Sequence, residues 1–446
     1  MLKKGWIVVM AGLGLNLALG VLYAWSMFSK QLTETIENGG FGWSRTTATL
    51  PYTIAIAFFA LMMVPAGRLQ DRLGPRLTAT IGAVLIGTGL VVASLGKADL
   101  IWPVLLGFGA LAGTGIGLGY AAATPAAVKW FGPEKKGMIT GIVVAGFGLA
   151  PVYIAPLSKS LLASQGIGGA FRILGLIFLA VAGLSAQFLV NPKPGQARAS
   201  SSPNKSKKAK QPPLADATWK EMVRTPKFWS LYLQFACGAT AGLMVIGHIA
   251  KIVSSQSGGA IQTGFLFVAL MAIFNAGGRV AAGMVSDIIG RVATMIIVFI
   301  VQASVMFFFD QFTTTGGFLF GAALVGFNYG SCLSLFPATA ADYWGTKNLG
   351  LNYGILFTAW GVGGVFGPSL AGMIADSTGS YARAYQVAGA LLLFAALLAI
   401  WSHMSLSFKL ADKQLVITLG RRDGAEKKNA EEKSPGEEPV ARLKAS

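Results

Sequence analysis

The chain has 446 residues, 54% of them hydrophobic and only 12% charged, and its mean hydropathy is +0.61. A soluble protein of this length needs far more charge to cover its surface, which excludes a soluble enzyme and a soluble helical protein with a large core. The net charge of +18 does not point to nucleic acid, because the cations sit in loops and tails beside apolar runs, the pattern of positive-inside anchoring.

The first apolar run, 6–28, follows Met1-Leu2-Lys3-Lys4. It is longer than the core of a signal peptide and no small-residue cleavage site follows it, so it reads as a membrane span. Crossing a hydrocarbon core of about 30 Å takes roughly 20 helical residues. Further spans are expected at 46–66, 77–96, 101–127, 138–160 and 171–190, then at 228–250, 262–285, 292–310, 316–340, 350–374 and 383–402. The expected fold is an all-α membrane protein of twelve transmembrane helices in two six-helix bundles, 1–190 and 228–407. The 58 glycines suit that packing, since small residues let backbones approach in lipid. Between the bundles, 191–227 reads as a basic linker carrying Lys193, Arg198, Lys205, Lys207, Lys208 and Lys210. From Phe408 the chain becomes charged again, and 408–446 reads as a cytoplasmic tail. Lys3/Lys4, Arg68/Arg72/Arg76, Lys129/Lys135/Lys136, the linker and Arg421/Arg422 all fall on one side of a twelve-span arrangement. A multi-pass inner-membrane protein with both termini in the cytoplasm is therefore expected. Cys237 and Cys332 lie inside apolar runs and suggest neither a disulfide nor a metal site.

The two halves repeat. Gly67-Arg68-Leu69-Gln70-Asp71-Arg72-Leu73-Gly74 follows span two, and Gly283-Met284-Val285-Ser286-Asp287-Ile288-Ile289-Gly290-Arg291 follows span eight, with Asp71 and Asp287 separated by 216 positions. Trp130-Phe131-Gly132 with Gly137 and Gly141 matches Tyr343-Trp344-Gly345 with Gly350 and Gly354 at a spacing of 213. Parallel duplication of a six-helix unit is a transporter architecture that holds substrate between the halves. Gly67, Asp71, Arg72 and Gly74 form a Gly-x-x-x-Asp-Arg-x-Gly pattern, and on it the chain resembles the major facilitator superfamily. The resemblance implies a secondary transporter in which Gly67, Asp71, Arg72, Asp287 and Arg291 act in gating. An acid at a helix end can pair with helix N-termini and cations of the neighbouring bundle in one state and release them in another.

Inside the spans, one ionisable residue stands out. Arg279 lies in Phe274-Asn275-Ala276-Gly277-Gly278-Arg279-Val280, about 12 Å along the helix from Asp287. An intramembrane charge usually marks a ligand path; snorkelling toward the cytoplasm is the competing reading. A guanidinium matches a carboxylate in bidentate geometry, and Asn275, one turn earlier, could donate to the same anion. Ala276, Gly277 and Gly278 are expected to leave room for its approach. No Asp or Glu lies near the middle of any span, so a mobile carboxylate is the expected counter-ion. Candidate wall residues are Tyr23, Tyr120, Tyr329, Phe357 and Trp360, with Asn16 seven residues before Tyr23 on the same helical face. His248 reads equally as a proton relay or an interfacial residue, and Gly113-Thr114-Gly115-Ile116-Gly117-Leu118-Gly119 as helix packing. No Walker loop, zinc motif or Ser/His/Asp arrangement appears, so neither an enzyme nor a cofactor is expected.

Asn38-Gly39-Gly40-Phe41-Gly42-Trp43 is similar to the acidic-Gly-Gly-aromatic-Gly-Trp signature of monocarboxylate transporters, with Asn38 in the place of the acid. Trp130-Phe131 through Lys135-Lys136, Gly141 and Ala145-Gly146 resembles their second signature with one residue inserted. Along most of 6–402 the chain thus resembles the branch of oxalate:formate antiporters and monocarboxylate transporters. The oxalate exchangers add a Lys after Phe-Thr-Ala in span eleven, whereas here Phe357-Thr358-Ala359 is followed by Trp360. Burying a second negative charge without a cation is costly, so the resemblance implies a monoanion of the lactate or pyruvate class. Animal monocarboxylate transporters carry an Asp where this chain has Asn275, which cannot titrate. The expectation is a monomeric proton symporter of small carboxylates working by alternating access, with anion antiport and a non-transporting sensor as alternatives.

Overall fold

The computed structural model describes residues 2–192, 216–261 and 264–402. The basic stretch of the linker and the tail from 408 lie outside the described residues. Among the described residues eleven helices are long and apolar enough to cross a membrane. One of them, Pro133–Gln187, is 55 residues long, and Gly166 (φ 66°, ψ −176°) interrupts it, so it supplies two crossings. The spans in order are 1, Lys3–Thr33; 2, Thr47–Leu73; 3, Pro75–Ala93; 4, Trp102–Val128; 5 and 6, the two parts of Pro133–Gln187; 7, Pro226–Ile246; 8, Leu266–Ile289; 9, Arg291–Gln311; 10, Thr315–Trp344; 11, Leu349–Thr378; and 12, Ala382–Ser402. Leu61, Leu184, Phe366 and Leu397 are exposed, as a surface facing lipid tails demands.

Local chemistry sets the helix ends. Ser44 Oγ accepts the Thr47 N–H before span 2, and Thr314 Oγ1 accepts the Gly317 N–H before span 10. A capping box of Thr218 and Glu221 starts the short helix Trp219–Val223 where the chain re-enters after the linker. Gly74 and Gly290 hold φ of 91° and 97°, a conformation open to glycine, and each lets the chain reverse within one residue. Spans 2 and 8 therefore run farther than the hydrophobicity indicates. Asp71 and Arg72 sit in the last turn of span 2 and Asp287 in the last turns of span 8, not in loops. Span 1 is irregular: Gly20–Ala24 winds as a 3-10 turn, and Gly20 packs against Ala150 of span 5.

Span 2 meets span 11, and span 5 meets span 8, with glycine backbones in contact at the end that carries the basic loops. Gly67 faces the Gly350 carbonyl, Gly354 the Met63 carbonyl, and Gly137 and Gly283 face one another. Any side chain at these positions would drive the helices apart. At the same places two carboxylates cap helix N-termini across the interface. Asp71 accepts the N–H groups of Gly350 (3.2 Å) and Leu351 (2.8 Å). Asp287 accepts those of Gly137 (2.9 Å) and Met138 (2.8 Å). The acceptors and donors are both repeat equivalents, so one latch occurs twice. Each cap places an anion on the positive end of a helix dipole.

The surroundings of the two latches differ. Arg291 pairs with Asp287 (2.7 Å) and with Asp342 (2.9 Å), and Asp342 also takes Lys136 of span 5 at 3.0 Å. Among the described residues Asp71 pairs with Lys129 alone, at 3.7 Å. Burial lowers the pKa of Lys129 from the usual lysine value, and Asp71 opposes that shift. Arg72 is exposed and takes no part in these contacts. Charge-assisted caps of this kind contribute about 1.5–3 kcal/mol each, so losing one shifts the closed state by tenfold or more. In a variant whose Cys237 and Cys332 are replaced by Ala and whose buried Thr140 is replaced by Cys, Asp287→Asn is expected to raise the rate of labelling by N-ethylmaleimide about tenfold. An unchanged rate would show that Asp287 does not hold this end closed.

Candidate functional site

Arg279 is completely buried in span 8. Its Nε donates to Asn275 Oδ1 at 2.8 Å, one turn earlier on the same helix. Its Nη1 donates to the backbone carbonyl of Val144 in span 5, so the guanidinium crosses from one six-helix half to the other. Its Nη2 has no hydrogen-bond partner, and Arg279 forms no ion pair among the described residues. Leaving a buried cation without an anion is among the costlier arrangements a protein can hold. The side chain does not snorkel.

Glycines fix its surroundings. A Cβ at Gly148 would stand 3.1 Å from Asn275 Oδ1 and 3.2 Å from Arg279 Nε, so glycine there lets span 5 reach the Arg279–Asn275 pair. The small residues beside Arg279 serve other ends than expected. Gly278 is occupied by the Phe327 carbonyl of span 10, while Gly277 is exposed on the outer face of the helix. Span 8 is thus narrow on one side to pack span 10, and Gly277 opens no approach to Arg279.

Aromatic rings from six spans gather beside the guanidinium. Tyr120 of span 4 packs against Phe59 (5.5 Å between ring centres), Phe147 (5.5 Å) and Phe357 (5.3 Å). Phe357 stacks on Trp360 at 4.9 Å, and Trp360 Nε1 donates to the Tyr329 hydroxyl at 2.7 Å. Tyr23 lies edge-on to Phe147 at 5.3 Å. Tyr120, Tyr329 and Tyr353 all lie within electrostatic reach of Arg279, and Tyr23 interacts with Tyr120 and Tyr329. Arg279, Asn275, Tyr120, Tyr329, Phe357, Trp360 and Tyr23 therefore belong to one cluster. Such a cluster offers one fixed positive charge, hydroxyl groups and flat apolar walls, which suits a small organic anion.

Asn16 stands apart. Its amide donates to the Gly12 and Val143 carbonyls and ties span 1 to span 5. The 3-10 turn at Gly20–Ala24, with 3.0 residues per turn in place of 3.6, changes the angle between Asn16 and Tyr23 by some tens of degrees from that of a regular helix. His248 packs against Tyr381 and meets the Met244 carbonyl, none of them a member of the cluster. Gly113 and Gly115 pack against Ala55 and Gly82, as helix contacts.

Three residues of the cluster were not evident from the sequence. Phe59 and Phe147 lie in unbroken apolar stretches with nothing to distinguish them from core. Tyr353 carries a readable signal, since Tyr353, Phe357 and Trp360 recur at i, i+4 and i+7 and so share one helical face.

The Major Facilitator Superfamily model matches residues 6–309 and 252–434. The chain is 30% identical to the oxalate:formate antiporter of Oxalobacter formigenes over 378 residues, covering 83% of this chain and 85% of that one. It is 24% identical to monocarboxylate transporter 13 of Rattus norvegicus over 407 residues, covering 87% and 86%. Among solved structures, the transporter FucP in the outward conformation superposes with a TM-score of 0.66 at 14% identity, over 89% of this chain and 98% of that one. A proton:xylose symporter gives 0.67 at 14% identity, over 90% and 96%. These two likenesses concern the fold. With twelve spans and a family match along most of its length, the chain belongs to the Major Facilitator Superfamily.

Proposed function

We propose that the protein carries small monocarboxylates of the lactate and pyruvate class across the inner membrane by alternating access, with both termini in the cytoplasm. The observation that carries this reading is Arg279, fully buried, with Nη2 unpartnered and no carboxylate paired to it among the described residues. A substrate carboxylate supplies the missing anion. Its charge-assisted bonds to the guanidinium are of the strong class, and the bidentate geometry distinguishes carboxylates from neutral solutes. Phe357 and Trp360 offer flat apolar surface to the rest of the molecule and no second cation, which favours one negative charge over two. The halves 1–190 and 228–407 act as the rocking bodies, joined by the linker, and one chain holds the whole site.

Arg279 also explains how occupancy would be coupled to movement. It bonds to Val144 in the other half while anchored by Asn275 in its own. A carboxylate that draws the guanidinium away from the Val144 carbonyl loosens a contact between halves. Binding energy then shifts the population toward the state that releases the substrate. Because Asn275 does not titrate, the proton is proposed to cross with the substrate carboxyl or on another group that takes it up as Arg279 is neutralised, and not on Asn275.

The second reading is anion exchange, favoured by the 30% identity to an oxalate:formate antiporter. Uptake of labelled L-lactate into empty proteoliposomes under an acid-outside gradient separates the two. Accumulation that a protonophore abolishes is expected; uptake only into vesicles preloaded with an anion would establish exchange instead. In the same assay Arg279→Lys is expected to lose at least about tenfold in uptake, since lysine cannot keep both the Asn275 bond and a bidentate hold. Full activity would remove Arg279 from the site. Gly148→Val, which puts a branched side chain against Arg279 Nε and Asn275 Oδ1, is expected to abolish uptake while leaving the protein monodisperse.

A further inference from the structure

Tyr353 of span 11 is 1% exposed, and its hydroxyl makes no well-formed hydrogen bond, meeting the Tyr120 hydroxyl only loosely. A buried hydroxyl without a partner costs roughly 1–3 kcal/mol, so a tyrosine in place of phenylalanine is disfavoured at such a position unless something else uses the oxygen. Its neighbours say what would. The ring packs against Phe357 at 5.7 Å, and the hydroxyl interacts with that of Tyr120 and with the Arg279 guanidinium. Arg279 Nη2 is a buried donor of the same cluster with no acceptor. One acceptor group placed between Nη2 and the Tyr353 hydroxyl would satisfy the first and replace the loose Tyr120 contact of the second.

We propose that Tyr353 is a direct ligand of the transported carboxylate, donating its hydroxyl to one oxygen while Arg279 Nη2 holds the anion. The proposal rests on the carboxylate reading of Arg279 and adds a residue to it. The location has a consequence for selectivity. Tyr353 lies on the same face as Phe357 and Trp360, one turn nearer the latch where Asp71 caps Gly350 and Leu351. The carboxylate end of the substrate is thereby fixed toward the closed, basic end, and its organic end toward Phe357 and Trp360. A donor from span 11 and a cation from span 8 then act on one anion, so a neutral amide, whose NH2 group donates where a carboxylate oxygen would accept, leaves one donor unsatisfied and the cation uncompensated. Sites that hydrogen-bond a substrate group reject analogues lacking it more strongly than apolar pockets reject a missing methylene.

The test is Tyr353→Phe, which keeps the ring and removes only the hydroxyl. Transport in proteoliposomes and binding, followed by tryptophan fluorescence, are measured with L-lactate, pyruvate, formate and oxalate in wild type, Tyr353→Phe and Arg279→Lys. Loss of one hydrogen bond to a charged group is expected to raise KM and Kd about tenfold for the preferred anion, with kcat within about twofold of wild type. A structural role would lower kcat or the yield of folded protein and leave KM in place. Unchanged KM and Kd in Tyr353→Phe beside an inactive Arg279→Lys would overturn the proposal and leave the Arg279 reading standing. Binding of none of the four anions to wild type, or full activity of Arg279→Lys, would overturn both.

Discussion

The arrangement of the whole molecule turns on a positive charge that is fully buried and has no carboxylate paired to it among the described residues. A guanidinium keeps its charge, and lipid on the outside offers it nothing. Two of its bonding directions are met by Asn275 and by the Val144 carbonyl, which leaves Nη2 open. Placing the group there requires glycine on the facing helix, small residues where span 8 meets span 10, and aromatic rings around the remainder. Each of these looks like ordinary helix packing when taken alone. Together they hold a guanidinium at the junction of the two halves.

The latches at the basic end are the second element of the same design. Asp71 and Asp287 are repeat equivalents, and each caps the helix that is the repeat equivalent of the other's partner. Duplication therefore explains why the closed end is nearly symmetric. The ion pairs around the caps are not symmetric. The Asp287 latch is joined by Arg291 and Asp342 of the half that contains Arg279 and by Lys136 of the other half, while Asp71 is backed, among the described residues, by Lys129 alone at a longer distance. Lys129 and Asp342 occupy equivalent positions in the two repeats yet carry opposite charges, so the second latch needs Arg291 between its two acids.

The spans were legible because a membrane crossing is set by length and hydrophobicity, two quantities a sequence states directly. The merged helix Pro133–Gln187 was still separable as 138–160 and 171–190, since Gly166 falls in the gap between the apolar runs. Arg279 was legible for a related reason: a charge in an apolar run is conspicuous. What could not be read is anything that depends on helix rotation across the interface. The Val144 carbonyl has no sequence signature, and the 3-10 turn that changes the angle between Asn16 and Tyr23 is invisible to a periodicity of 3.6. Gly277 and Gly278, adjacent in sequence, face lipid and span 10 respectively, and only the packed helix distinguishes them.

If Arg279 is an uncompensated cation until a carboxylate arrives, thermal unfolding of the purified protein reports it directly. Melting temperatures are compared for wild type and Arg279→Met, each with and without saturating L-lactate. Removing a buried charge that lacks an anion should leave the empty protein at least as stable, and it should abolish the rise in melting temperature that substrate gives wild type. An empty Arg279→Met that is clearly less stable than wild type, and that lactate still stabilises, would contradict the central claim.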